Sequence, residues 1–135
     1  MTTVVDASAL VAALIDSGPV GQWAEGLVFG GDLAGPHLLP VETANVLRRA
    51  TAGGDVSDDI ATLAHADLLD LQIELFPYRM FADRVWELRH NLSSYDAWYV
   101  ALAEALEAPL VTADRRLFNA PGPQCEIIIP PDSEA

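Results

Sequence analysis

Lysine is absent from this 135-residue chain, and all seven basic residues are arginines, at positions 48, 49, 79, 84, 89, 115 and 116. Against them stand 20 acidic residues, for a formal net charge of −13. Taken alone, that balance speaks against nucleic acid as a partner, because phosphate binding is driven largely by cations. Cysteine occurs once, at Cys125, so no disulfide forms within the chain. No apolar run approaches the roughly 20 residues that cross a bilayer. Val4 and Val5 run straight into Asp6 with no basic leader before them, which does not read as a signal peptide. The expected location is therefore the cytoplasm. Neither GxxxxGK[ST] nor GxGxxG is present, so no glycine-rich phosphate loop is expected. His37, His65 and His90 are scattered and match no metal-ligand spacing.

What the chain has is aliphatic segments broken by turn signals, with 51% apolar residues. Its length suits one domain spanning residues 1–135. Thr3–Val5 reads as a short buried strand, followed by helices over Ser8–Ile15 and Pro19–Phe29. Leu33-Ala34 is a short strand. Helices follow over Leu39–Thr51, stopped by Gly53-Gly54, and over Ser57–Leu69, opened by a capping serine and early aspartates. Gln72–Phe76 alternates as a strand does, and Phe81–Leu92 reads as a helix. Ser93-Ser94 caps a helix over Tyr95–Glu107, and Ala108-Pro109 breaks it. Leu110–Thr112 is a buried strand, Asp114–Phe118 a short helix and Glu126–Ile129 a last strand. Cys125, at the head of that strand, is expected to be buried and inert. Strands alternating with helices predict a mainly parallel sheet covered on both faces, a three-layer α/β/α sandwich.

In such folds the site lies beyond the carboxyl ends of the strands. Asp6 and Asp114 each follow a strand there. Glu42 and Asp96 lie in the opening turns of helices directed at the same edge. Each acid alone has an ordinary structural use as a helix cap or a partner of the helix dipole. Four carboxylates in one cleft repel each other and call for a cation. Hard oxygen ligands without thiolates or paired histidines suit Mg²⁺ or Mn²⁺, and such a site suits phosphodiester hydrolysis. Thr112 shares a strand side with Asp114 and is placed to assist. Asn45 and Arg49 share the helical face of Glu42. Ser8 caps the first helix or lines the site, capping being the commoner use. Arg115 and Arg116 directly follow Asp114, and Arg49, Arg115 and Arg116 are the candidates for substrate phosphate. The three tryptophans, with Tyr95 and Tyr99, are read as packing residues.

Two other phosphate-handling classes also place an aspartate after the first strand. A haloacid-dehalogenase-type phosphatase needs a second aspartate two residues on, where Ser8 stands, and also a lysine. A phosphate-accepting receiver domain needs a lysine as well.

Four stretches carry a resemblance: VVDASALVAAL at 4–14, LPVETANVLRRA at 39–50, SSYDAWYVALAEAL at 93–106 and LVTADRRL at 110–117. In this order and spacing the chain resembles the PIN-domain ribonucleases and, within them, the VapC-type toxins of toxin–antitoxin pairs. The resemblance covers nearly the whole chain. It implies an endoribonuclease using one or two Mg²⁺ or Mn²⁺ ions, with Asp6, Asp96 and Asp114 as the metal-binding aspartates. Glu42 would be the site glutamate and Thr112 the polar residue beside the last acid. It further implies a homodimer, inhibition by a cognate antitoxin protein, and contact with operator DNA only through the antitoxin complex. Many relatives carry a further acid shortly after the last aspartate, where Arg115, Arg116 and Leu117 stand here. The lack of lysine favours an RNA selected by shape, such as a folded tRNA or a ribosomal RNA loop. A catalytically weak or inactive PIN-like partner-binding protein remains the alternative, since sequence shows ligands and not turnover.

Overall fold

The computed structural model describes residues 1–131. Its strands are β1 (Thr2–Val5), β2 (Asp32–Pro36), β3 (Ile73–Phe76), β4 (Leu110–Val111) and β5 (Ile127–Ile128). All pairings are parallel, in the order β3-β2-β1-β4-β5. The central strands are buried on both faces: Val4 and Val5 of β1 and Leu110 and Val111 of β4 are inaccessible to solvent. A strand that hides alternate residues on opposite faces needs a helical layer on each side.

Those layers come from α1 (Ala7–Ile15), α2 (Pro19–Val28), α3 (Leu39–Ala52), α4 (Asp58–Asp70), α5 (Ala82–Glu87), α6 (Ser94–Leu106) and α7 (Arg115–Asn119). α1 packs with α2, α3 and α4, whereas α6 packs with α5 and lies over β1, β2 and β4. The chain steps one way from β1 to β3 and then returns across the sheet to β4. Because parallel crossovers keep a right hand, that reversal puts the two groups of helices on opposite faces. The three-layer α/β/α sandwich is the expected architecture. Among the described residues no helix is long and apolar enough to cross a membrane.

Helix starts follow local chemistry. Asp6, Ser57, Ser93 and Asp114 are N-caps whose side chains accept backbone N–H groups of α1, α4, α6 and α7. The cap of α1 is thus Asp6 and not Ser8. Pro19 and Pro40 occupy first-turn positions in α2 and α3, where a missing N–H costs nothing.

The expected helix over 81–92 is shorter. It forms a 3₁₀ turn at Arg79–Phe81 and then α5, which ends at Glu87. Beyond that point Leu88, Arg89 and Asn91 donate to carbonyls three residues back. Bonds of that spacing tighten the chain into turns that deliver it to Ser93. Arg84 holds the region in place. Its guanidinium donates to Glu104 of α6 through Nε (2.7 Å) and Nη2 (3.1 Å), to Glu87 and to the carbonyl of Gly122.

The turn from α1 into α2 passes through a point that only glycine allows. A Cβ on Gly21 would lie 1.7 Å from the carbonyl oxygen of Asp16, whereas one on Gly26 meets nothing within 4 Å. The two glycines sit in the same helix and make a matched pair. Gly21→Ala should cost about 3 kcal/mol or more, because backbone and not a flexible side chain must move. Gly26→Ala should stabilise by about 0.5–1 kcal/mol through helix propensity. Urea unfolding of the two variants, followed by circular dichroism, checks both signs.

Candidate active site

The sheet order reverses at the β1–β4 pair, and the crevice beyond that pair is where an open parallel sheet offers a site. Asp6 leaves β1 directly into it. The residue is 9% exposed, and both of its carboxylate oxygens are occupied. Oδ1 accepts from Ser8 Oγ at 2.6 Å and from the Ala9 N–H at 3.0 Å, and Oδ2 accepts from Thr112 Oγ1 at 2.5 Å. The same two hydroxyls accept from the loop after β4. Ala113 N–H donates to Ser8 at 2.9 Å and Asp114 N–H to Thr112 at 3.0 Å. A hydroxyl has one proton, and each is committed to Asp6. The 3.3 Å approach of Ser8 Oγ to Thr112 Oγ1 is therefore a contact enforced by the shared acceptor. Two hydroxyls thus clasp a buried carboxylate between β1 and β4 and join it to the segment that carries Asp114.

The remaining acids surround this clasp. Asp96 lies in the first turn of α6, where its own N–H is capped by Ser93 at 3.1 Å. Asp114 caps α7 and is gripped by Arg116, with Nε to Oδ1 at 3.2 Å and Nη2 to Oδ2 at 3.1 Å. Glu42, in the first turn of α3, accepts from the Tyr99 hydroxyl at 2.6 Å. Tyr99 is 2% exposed and lies three residues after Asp96, so α6 contributes both to one face. Tyr99 packs as expected but also positions Glu42, a role the sequence reading missed. The i, i+3 spacing from Asp96 was the available signal.

The electrostatics show that these groups sense one another. Burial pushes the Asp6 carboxyl above its ordinary range, its three donors pull it back, and the charge of Asp96 adds to the rise. Asp96 is raised by burial and by the charge of Asp114. Asp114 is lowered, because the Arg116 guanidinium holds it ionised. The Tyr99 hydroxyl is raised far above its usual value by burial and by its bond to Glu42, with Asp6 and Asp96 contributing.

Other candidates sit elsewhere. Asn45 accepts from Arg48 Nε at 2.9 Å on the exposed side of α3, so the group bonded to Glu42 is Tyr99. Arg49 is exposed on the same helix. Arg115 donates to the carbonyl of Pro130 at 2.8 Å, which directs it toward the end of the described chain. Cys125 is half-buried before β5, its thiol pushed up to about 11 by burial.

A cleft of about 280 Å³ is lined by Ser93, Asp96, Asp114 and Arg116. A larger one of about 410 Å³ is bordered by Met1, Pro109 and Cys125, at the amino ends of β1, β4 and β5. That is the wrong end of a parallel sheet for a reaction centre. Among the described residues, no three acidic, histidine or cysteine side chains already close on one point as a metal cage. The donor chemistry nevertheless fits a hard cation: the acids are all oxygen ligands, and two of them are raised by burial and like charge. Mg²⁺ in particular keeps several waters and takes only one or two carboxylates.

The family model described as the PIN domain matches residues 3–123. Ribonuclease VapC1 of Mycobacterium tuberculosis is 42% identical over 125 residues, covering 92% of this chain and 94% of that protein. Ribonuclease VapC9 of the same organism is 41% identical over 128 residues, covering 95% and 98%. Among solved structures, PAE2754 from Pyrobaculum aerophilum aligns with a TM-score of 0.65 at 27% identity, covering 88% of this chain and 84% of that one.

Two outcomes are expected from the cation-free protein. Asp6 and Asp96 hold their protons more tightly when folded, so their contribution to stability is complete below the ordinary carboxylate value of about 4. It is lost as pH rises through the raised folded values. Asp114 works in the opposite sense, losing its contribution as pH falls. Asp96→Asn should therefore melt above the parent at pH 7, with the gap closing as the pH approaches 4; thermal melts in EDTA read this directly. Thr112→Val keeps the shape of the side chain but removes the donor to Asp6 and the acceptor of the Asp114 N–H. It should cost about 1–3 kcal/mol in urea unfolding.

Proposed function

The chain belongs to the PIN-domain family, grouping there with the VapC proteins, and on that premise we propose that it is a metal-dependent endoribonuclease. The observation that carries this reading is the clasped Asp6 at the sheet's reversal point, with Asp96, Asp114 and Glu42 around it. The relatives named Ribonuclease VapC match over nearly their whole length, which supports RNA as the substrate class.

In this reading Asp6 and Asp96 hold a Mg²⁺ or Mn²⁺ ion, and Asp114 completes the site directly or through water. When bound, such an ion acidifies water and offsets charge developing on phosphate oxygens. The protein's own groups do the rest. Ser8 and Thr112 spend their protons on Asp6, which favours the ionised form that binds a cation despite its burial. Tyr99 donates to one oxygen of Glu42 and leaves the other to accept a proton from, or orient, an attacking water. Arg116, and more remotely Arg49, are the cations available to a substrate phosphate. No protein nucleophile and no covalent intermediate are required.

The biological role proposed with it is that of a toxin, restrained by an antitoxin encoded beside it and acting as a homodimer in the cytoplasm. A net charge of −13 suits a basic partner surface. A folded RNA such as tRNA or a ribosomal RNA loop suits a protein with few cations, since RNA loops are recognised by shape and unstacked bases. Operator DNA would be reached only through the antitoxin complex.

Antitoxin-free protein incubated with total cellular RNA should yield discrete fragments in Mg²⁺ or Mn²⁺ and none in EDTA. Asp96→Asn should reduce cleavage by roughly 100-fold or more while remaining folded. Undiminished cleavage by that variant would sink the assignment. Absence of cleavage by the parent with any metal, across folded and unfolded RNAs, would favour a partner-binding protein.

A further inference from the structure

Arg116 is an anomaly in a cluster built for a cation. It follows the last acid of the site by two residues, where its guanidinium takes both oxygens of Asp114, at 3.2 Å and 3.1 Å. Its positive charge also reaches Asp96. Yet the side chain is 90% exposed, so little packing holds it in place. The Asp114 side of the pair is anchored independently, because its Oδ1 also caps the N–H of Arg116 at 2.9 Å. The pair therefore joins a fixed carboxylate to a long, solvent-borne arm. An exposed ion pair of this kind shifts an equilibrium by a factor of about five at most. That is enough to neutralise a carboxylate among like charges and too little to resist a divalent ion.

We propose that Arg116 is a built-in stand-in for the cation: it neutralises Asp114 in the cation-free protein, and when an ion takes over that carboxylate the arm is released to grip a phosphate of the RNA. This rests on the metal-dependent reading above and adds a residue role to it. The planar fork of arginine fits a carboxylate and a phosphate oxygen pair equally well, which makes one side chain suitable for both partners. In a chain with seven cations and no lysine, a guanidinium already at the site edge is a scarce resource. Exchange between the two partners also couples events: ion binding frees the group that holds the strand.

The test is calorimetric titration of Mg²⁺ and Mn²⁺ into the parent, Arg116→Gln and Arg116→Lys. The expected result is that Arg116→Gln binds both ions about fivefold more tightly. Arg116→Lys, which keeps the charge but loses the fork, should lie nearer to Arg116→Gln than to the parent. In nitrogen-15 spectra the Arg116 Nε–H signal of the parent should move toward the free arginine position as Mg²⁺ is added. Arg116→Gln should also raise KM for cleavage of a short single-stranded RNA by roughly tenfold. Equal ion affinities in the parent and Arg116→Gln, or an Arg116→Lys indistinguishable from the parent, would overturn the stand-in while leaving the metal site intact. An unchanged KM would overturn the release to phosphate. If neither parent nor variant binds either ion, the metal-dependent reading itself fails, and this inference with it.

Discussion

A carboxylate placed where water scarcely reaches is the constraint around which this molecule is arranged. Left without partners, a buried charge costs several kcal/mol or takes up a proton. Three donors offset part of that cost at Asp6, and only one of them, the Ala9 N–H, comes from its own helix backbone. The Thr112 hydroxyl arrives from β4, more than a hundred residues away in the chain. That donor is in reach only if β1 and β4 are neighbours, and they are neighbours only because the sheet order reverses between them. Strand order, the abrupt entry into α1 and the tight turn into α7 are thus one arrangement seen at three scales.

The distribution of arginines completes the electrostatic description. Arg84 is tied to Glu104 and Glu87, Arg48 to Asn45, Arg115 to Pro130, and Arg89 lies over the ring of Trp86. A chain with so few cations uses them largely within itself. The surface that results is acidic, and neutralising a phosphate backbone is not a general option for it. Recognition of a polyanion then has to depend on a few positioned groups and on shape. Glu104 shows what such pairing does for an acid: burial pushes its carboxyl up, but Arg84 and the Gln124 N–H outweigh that and hold it below its ordinary value. Asp6 and Asp96, without an arginine in direct contact, move the other way.

Much of this was legible in residue order because the clues were local. A strand ending in an aspartate, a serine before a helix and a proline in a first turn each dictate structure within a few residues. Asp6, Glu42, Asp96 and Asp114 could be singled out in that way. Long-range pairing was less accessible. Nothing near Tyr99 names Glu42, 57 positions away, as its acceptor. Ser8 was read as a cap or a residue lining the site, capping being the commoner use, yet the residue two positions earlier took the cap and drew the serine to itself. The helix expected over 81–92 was cut short because tight turns were needed to reach Ser93, a demand set by where α6 must lie on the sheet.

The wide separation of the two halves of the Asp6 clasp bears on how the chain is made. Synthesis runs from the amino end, so β1 and Asp6 emerge first and wait. β4, Thr112 and Asp114 follow only after more than a hundred further residues. Until they do, Asp6 lacks one of its hydroxyl donors and the crevice has one wall. Domains of this kind close late, once their non-local strands are available. A nascent chain that has not yet released β4 therefore has an unfinished centre, and a message truncated before the Thr112 codon yields a product that lacks it altogether.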